Sequence, residues 1–176
     1  GFGVSRIIRP EESLTRYIGK LIEHPEAMQV REFAGGRACL VSTRARAGAP
    51  MVGRTIGAIR ASTPELAMRI VALYRRLPDE PDRFVACDGE TRIEAGDEVF
   101  VLSASENIAV VLRGLLRPVG QVTRAVRRVM IAGGGAVGLR LAQQLGQEPG
   151  RFHVKIFEED AERCVELASL LPSEVL

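Results

Sequence analysis

The sequence predicts an α/β protein in which a small α+β region precedes an incomplete parallel β-α-β unit. Near the C-terminus, an apolar run at residues 129–132 leads directly into a glycine-rich segment. A helical pattern follows, and a second apolar run over 152–157 then ends in the acid Glu158. Upstream, over 25–117, short strand-like runs alternate with two helical ones, which is typical of a mixed α+β fold.

The glycine-rich segment contains G-x-G-x-x-G, with its glycines at Gly133, Gly135 and Gly138. Gly133 permits a sharp turn out of the strand, Gly135 lets a pyrophosphate approach the backbone, and Gly138 lets the helix pack close to the strand. Glu158 lies 20 residues beyond Gly138, the spacing expected of a carboxylate that binds a ribose. The pattern therefore predicts a dinucleotide site.

The predicted ligand is NAD or another nucleotide with an unphosphorylated adenosine ribose. The helix N-terminus favours the negative charge of phosphates. A carboxylate at Glu158 can accept hydrogen bonds from both ribose hydroxyls, and it would repel the 2′-phosphate of NADP. The alternative is a tight strand-to-helix connection that binds nothing, because folds are reused without their ligands.

Composition places the 176 residues among globular proteins of one ordinary domain or two small ones, with 46% hydrophobic and 26% charged residues. The net charge of +2 is too balanced to indicate a nucleic-acid surface. We expect a soluble chain, since no apolar run approaches the length of a membrane span. Three cysteines without CxxC spacing and two isolated histidines, His24 and His153, predict neither a disulfide framework nor a metal site.

Both ends of the chain suggest a piece of a longer polypeptide. The chain starts at Gly1 without an initiator Met, and VSRIIRP is typical of a strand that ends a preceding unit. At the other end, LPSEVL stops where a third strand would begin. The 50 residues of 127–176 therefore hold at most half of a dinucleotide-binding fold.

The segment Pro10–Glu23 is predicted to be a helix that ends before Pro25. One face carries an apolar stripe: Leu14, Tyr17, Ile18, Leu21 and Ile22. Such a stripe either joins the core or packs against a partner subunit as part of a crossover helix.

Between this helix and the glycine motif we predict a hairpin, a helix, three strands and a closing helix. MQVREF and ACLVST pair around AGG, residues 52–60 are helical with Ile56 and Ile59 buried, and MRIVALYRR is a strand. LPDEPD is a turn, RFVACDGETRIEAGDEVFVLSA holds two further strands, and SENIAVVLRGLL is a helix. No catalytic arrangement of side chains is evident in this region.

PVGQVTRAV, at 118–126, is broken by Pro and Gly and is predicted to be a linker. Beyond the glycine motif, a last helix near residues 161–171 is expected to bury Cys164, Ala168 and Leu171 on one face.

The chain resembles the TrkA-type regulators of potassium uptake, peripheral subunits built from tandem RCK domains. PEESLTRYIGKLIEHPEA is similar to the crossover helix of that family, and MVGRTIGAIR with EAGDEVFVLSASE to its small C-terminal subdomain. RRVMIAGGGAVGLRLAQQL with VKIFEED is similar to the start of a second nucleotide-binding repeat. The resemblance implies four segments: the end of a first RCK-N domain at 1–24, an RCK C-terminal subdomain at 25–117, a linker at 118–126 and the start of a second RCK-N domain at 127–176.

The resemblance also implies a function without catalytic residues or metal ligands. It implies a cytoplasmic regulator, peripheral to the inner face of the cell membrane, that self-associates and controls an integral-membrane potassium-translocating subunit. NAD or NADH, with ATP or ADP as alternatives, would contact Gly133, Gly134, Gly135, Ala136, Val137 and Glu158. LPDEPD departs from the plain turn usual in the family, which weakens any ligand role at that end of the subdomain.

Two other functions compete with this one. An NAD-dependent oxidoreductase would need a general acid or base near the nicotinamide, and the sequence offers none. A purely structural oligomerisation module would bind no nucleotide at all.

Overall fold

The computed structural model describes residues 10–76, 81–122 and 124–176. Most of the predicted strand VSRIIRP, the first four residues of LPDEPD and one residue of the predicted linker, Thr123, lie outside the described residues.

The predicted elements between Pro10 and the C-terminus are present, with small shifts of their boundaries. The helices are α1 Pro10–Glu23, α2 Ile56–Ser62, α3 Ile108–Val111, α4 Ala136–Gly146 and α5 Ala161–Leu170. The strands are β1 Gln29–Phe33, β2 Ala38–Arg44, β3 Met68–Arg75, β4 Arg83–Val85, β5 Glu98–Ala104, β6 Arg128–Ala132, β7 His153–Phe157 and β8 Glu174–Val175. A 3₁₀ turn precedes α3 and a π-helical turn, Leu112–Leu116, follows it, so the predicted closing helix is one continuous helical run.

The described chain forms two compact units. The central unit comprises residues 24–122, and the C-terminal unit comprises α1 together with residues 124–176. The two units contain separate sheets.

The central unit is built on an antiparallel sheet of five strands in the order β1-β2-β5-β3-β4. The predicted β1–β2 hairpin is confirmed, and its turn places Gly35 and Gly36 at φ of +68° and +87°. Side chains alternate between a buried and a more exposed face along β5, with Val99 and Val101 fully buried and Leu102 39% exposed. This alternation is the period of two that the sequence indicates.

The first helix of the central unit begins later than the predicted start at residue 52. The backbone before residue 56 turns, and the Thr55 hydroxyl accepts a hydrogen bond from the Ala58 N–H at 3.2 Å, which makes Thr55 the N-cap. Ile59 is fully buried, as predicted, whereas Ile56 is only half-buried.

A buried ion pair fixes the EAGD turn before β5. Asp97 is 1% exposed, and its two carboxylate oxygens each accept an N–H of Arg75 at 2.8 Å. The Glu94 N–H also donates to Asp97 at 2.8 Å. The hydrogen bonds to Asp97 raise the pKa of Arg75 above its ordinary value. The buried carboxylate of this turn therefore has a charged partner and a main-chain donor.

The C-terminal unit contains a parallel sheet in the order β6-β7-β8, with Arg128 opposite His153 and Ile156 opposite Val175. Its core combines residues of β6, β7, α4 and α5 with the residue after α5: Ile131, Leu141, Ala142, Leu145, Val154, Ile156, Leu167 and Leu171. The predicted β-α-β order is confirmed, and a third parallel strand follows it.

Helix α1 packs against α4, and its buried residues are not those of the predicted stripe. Thr15 and Gly19 are its buried residues, while Leu14 is 46% exposed. A Cβ on Gly19 would lie 2.6 Å from the amide nitrogen at the end of the flexible Gln144 side chain of α4. Of the stripe, Ile18 and Ile22 pack against the core.

The buried face of α5 also differs from the predicted one. Leu167 is fully buried, Cys164 is half-buried and Ala168 is exposed. Leu171, immediately after the helix, is buried as predicted. The face follows positions 164, 167 and 171, a spacing of three and then four that is as helical as the predicted four and then three.

Candidate functional site

The glycine loop lies where the parallel strands end. The Gly133 N–H, directly after β6, donates to the Phe157 carbonyl at the end of β7 at 2.8 Å. The Glu158 N–H donates to the Leu176 carbonyl at 2.9 Å, and the Leu176 N–H donates to the Ile156 carbonyl at 2.8 Å. Main-chain hydrogen bonds therefore join the ends of β6, β7 and β8, the edge at which open α/β sheets bind ligands.

The three glycines of G-x-G-x-x-G occupy different surroundings. Gly133 has φ of +95°, as a sharp turn requires. A Cβ on Gly138 would collide with the Gly133 carbonyl and lie 3.2 Å from Ile131 Cγ2, so α4 packs directly on the turn. Gly135 faces open space, with nothing within 4 Å of an added Cβ. Gly135 is the position at which a ligand can approach the backbone.

Ala136 and Val137, the other predicted loop contacts, form the first turn of α4. Ala136 is exposed and Val137 is half-buried. The helix has Gly135 as its N-cap, which supplies no side-chain hydrogen bond to the first N–H groups. Those groups are available to an anion.

Gly134, which is not one of the three glycines of G-x-G-x-x-G, has no space for a side chain. A Cβ at this position would collide with Leu167 Cδ1 and lie 3.0 Å from Glu158 Oε2. The φ of Gly134 is not in the left-handed region, so packing against α5 is what excludes a side chain there.

Glu158 is half-buried at the end of β7 and binds the glycine loop itself. Its Oε2 accepts the Gly134 N–H at 2.6 Å, and its Oε1 accepts the Asp160 N–H at 3.1 Å. The hydrogen bond from the Gly134 N–H, and after it the one from the Asp160 N–H, hold the pKa of Glu158 below its ordinary value. The carboxylate is therefore charged at neutral pH.

Arg163 is a residue of this site that the sequence analysis did not identify. Its Nε–H and Nη2–H both donate to the Gly134 carbonyl, at 3.1 and 2.9 Å. Asp160 is the N-cap of α5 and accepts the Arg163 N–H at 2.9 Å, which orients the first turn of the helix. The Asp160–Arg163 spacing predicts that Arg163 lies in the first turn of the helix, but it does not predict a contact with the glycine loop.

An open cavity of about 420 Å³ adjoins the loop and is lined by Gly133, Phe157, Glu158, Glu159 and Leu176. A larger cavity of about 1330 Å³ in the same unit contains no residue of the glycine loop. We take the smaller one as part of the candidate site, because it joins the strand ends to the acidic residue.

Across residues 10–76, 81–122 and 124–176, no three His, Cys, Asp or Glu side chains gather closely enough to hold a metal ion. Within the same residues, no helix has both the length and the apolar character of a membrane span.

Comparison with known proteins gives consistent results. The TrkA-C domain family matches residues 40–115, within the central unit. Three bacterial proteins named Trk system potassium uptake protein TrkA align with nearly all of the chain. The relative from Halomonas elongata is 41% identical over 97% of this chain, that from Vibrio alginolyticus 36% over 98%, and that from Haemophilus influenzae 33% over 98%.

The chain spans 35% of the length of each of these relatives. A solved structure of the GsuK channel bound to NAD resembles it only weakly, with a TM-score of 0.42 and 12% identity, over 97% of this chain and 40% of that chain.

Proposed function

Since the chain belongs to the TrkA family, of whose members it spans about a third, we propose that it is a nucleotide-binding regulatory segment of a potassium-uptake system. The observation that carries this proposal is the open backbone at Gly135, which starts α4 beside the charged carboxylate of Glu158. This arrangement offers N–H groups to phosphates and an acceptor to a ribose. We assign it no catalytic residue.

We propose NAD or NADH as the ligand, with ATP or ADP as alternatives that share the adenosine ribose. The phosphates would meet the N–H groups of Gly135, Ala136 and Val137, with Gly133 and Gly134 forming the turn beneath them. Glu158 would accept the ribose hydroxyls. The charge of this carboxylate at neutral pH supports the choice, because it repels a 2′-phosphate.

The partner we propose is an integral-membrane potassium-translocating subunit, at the cytoplasmic face of the cell membrane. A nucleotide would act by binding one of two arrangements of the regulator more tightly, which shifts their populations. Membrane vesicles that contain the potassium-translocating subunit should retain the regulator, and failure to retain it would contradict this part of the proposal.

We further propose that the chain divides into the end of a first RCK-N domain at 1–24, an RCK C-terminal subdomain at 25–117, a linker at 118–126 and the start of a second RCK-N domain at 127–176.

We also propose that the regulator self-associates. The exposed part of the α1 stripe at Leu14 is compatible with a contact between copies. Sedimentation velocity should give a dimer or larger species, and the mass of one chain would contradict self-association.

The test of the ligand is calorimetric titration of NADH, NAD, NADP and ATP into the intact protein and two variants. Glu158→Ala removes both the ribose acceptor and the hydrogen bond to Gly134. Glu158→Gln retains an oxygen acceptor but loses the charge. We expect the wild type to bind NAD and NADH more tightly than NADP, and Glu158→Ala to weaken the binding of every nucleotide. Glu158→Gln should narrow the preference against NADP by roughly tenfold, the scale of one lost charge interaction.

Three outcomes would contradict the proposal in different ways. If both variants bind all four nucleotides as the wild type does, Glu158 is not a ribose ligand. If the wild type binds none of them, the site is structural and the oligomerisation module is the better interpretation. Turnover of NADH with a reducible substrate would instead support an oxidoreductase.

A further inference from the structure

Gly134 is held by side chains on both sides of its backbone. Its N–H donates to Glu158 and its carbonyl accepts two N–H groups of Arg163, while Leu167 of the same helix fills the space where a side chain would lie. Since the Gly134 N–H is already bonded, the loop presents its next donor, the Gly135 N–H, to a ligand.

We propose that Arg163 is a positioning residue that aims the Gly135 N–H at the nucleotide phosphates, an inference that rests on the proposed function. The Gly134 carbonyl and the Gly135 N–H belong to one planar trans peptide group and point in opposite directions. Arg163 holds the carbonyl toward α5. The N–H of the same peptide group is therefore turned away from α5, and Gly135 faces open space.

The guanidinium group suits this role because its own orientation is fixed. Nε–H and Nη2–H converge on one oxygen, and Nη1 pairs with Glu166 at 2.5 Å. The side chain is 28% exposed, and its helix is anchored by the fully buried Leu167. A lysine ammonium is a compact point charge without this planar fork, so it cannot direct two N–H groups in the same way.

The experiment compares Arg163→Met and Arg163→Lys with Arg151→Met in the intact protein. Arg151 also lies in the C-terminal unit, pairs with Glu148 and stacks on Phe152, so its loss changes the net charge equally without affecting the loop. We expect Arg163→Met to weaken NADH binding about tenfold, consistent with the loss of hydrogen bonds to a charged donor. Arg151→Met should leave the affinity for NADH unchanged, and Arg163→Lys should bind NADH about as weakly as Arg163→Met does.

A measurement without nucleotide separates positioning from general destabilisation. The ¹⁵N resonance of Gly135 responds to hydrogen bonding at the preceding carbonyl, and exchange of the Gly134 N–H reports opening of the loop. In Arg163→Met the Gly135 resonance should move and Gly134 exchange should accelerate, while amides in β7 keep their protection. Neither signal should change in Arg151→Met.

The outcomes distinguish this inference from the proposed function. If the wild type binds NADH and Arg163→Met or Arg163→Lys binds it equally well, the positioning role is refuted and the nucleotide site stands. If no protein binds a nucleotide yet the Gly135 resonance moves only on loss of Arg163, the proposed function fails while the orientation of the loop by Arg163 is supported. An unchanged Gly135 resonance in Arg163→Met overturns the inference directly.

Discussion

Adding one methyl group at Gly134 should destabilise the C-terminal unit, whereas the same change at Gly135 should not. In Gly134→Ala the new Cβ would collide with Leu167 Cδ1 and lie 3.0 Å from Glu158 Oε2. Because Leu167 is fully buried in the core, it has little room to move, and overpacking of this kind costs about 1–3 kcal/mol. Gly135 has an ordinary φ of −64° and open space, so Gly135→Ala should remain within about 1 kcal/mol of the wild type.

A double-mutant cycle tests the cause of the effect. Leu167→Ala alone should cost about 2–5 kcal/mol, since it leaves a cavity in the core. Combined with Gly134→Ala, part of that cavity is filled by the new methyl group, and the two changes should couple favourably by at least about 1 kcal/mol. Exchange protection of the β7 amides measures the opening free energy of this unit separately from the central unit.

Equal stability of Gly134→Ala and Gly135→Ala would refute the clash at Gly134. Additive effects of the changes at Gly134 and Leu167 would also refute it, because the clash would then lie elsewhere.

Two further predictions concern charged groups. In the central unit, Asp97→Asn should lower the free energy of unfolding in urea by about 3 kcal/mol, because it leaves Arg75 without its buried partner. Glu94→Gln should change this free energy by less than about 1 kcal/mol, because the Glu94 carboxylate is exposed. Equal effects of the two substitutions would exclude a special role for the buried pair. Because the pKa of Glu158 lies below its ordinary 4.5, its charged form stabilises the folded state above pH 4.5, and this contribution is lost as the pH falls through the folded-state pKa. The stability difference between the wild type and Glu158→Gln should therefore shrink on acidification below pH 4.5, and a difference independent of pH would contradict the assignment.

The sequence was sufficient to predict the features that depend on neighbouring residues. Strand periodicity located the β1–β2 hairpin, and the G-x-G-x-x-G spacing predicted the turn at Gly133 and the tight packing at Gly138. Both are local requirements: a positive φ, and contact between a helix and the strand that leads into it.

What the sequence could not supply were contacts between segments distant along the chain. Gly134 contacts Arg163 and Leu167 only because α5 packs back over the glycine loop. Arg163 lies 29 residues after Gly134 along the chain. An arginine in the first turn of a helix is ordinarily a solvated surface residue, so its type alone gives no indication of its role.

The apolar pattern of α1 had a similar limit. Hydrophobic periodicity identifies apolar residues but does not identify the neighbour that covers them. Thr15 and Gly19 are the buried residues of α1, whereas Leu14 of the apolar stripe is 46% exposed. Gly19 and Thr15 are residues that a hydrophobicity pattern ranks low, so the pattern does not predict their burial.

The strand ends are joined by main-chain groups, and this determines which mutations they tolerate. The bonds from Gly133 to Phe157, from Glu158 to Leu176 and from Leu176 to Ile156 use only N–H and carbonyl groups. The side chains at positions 157 and 176 are therefore open to variation without breaking the connection. Proline is the exception: at position 158 or 176 it removes a donor, so a saturation library should lose proline at these two positions before it loses other residue types.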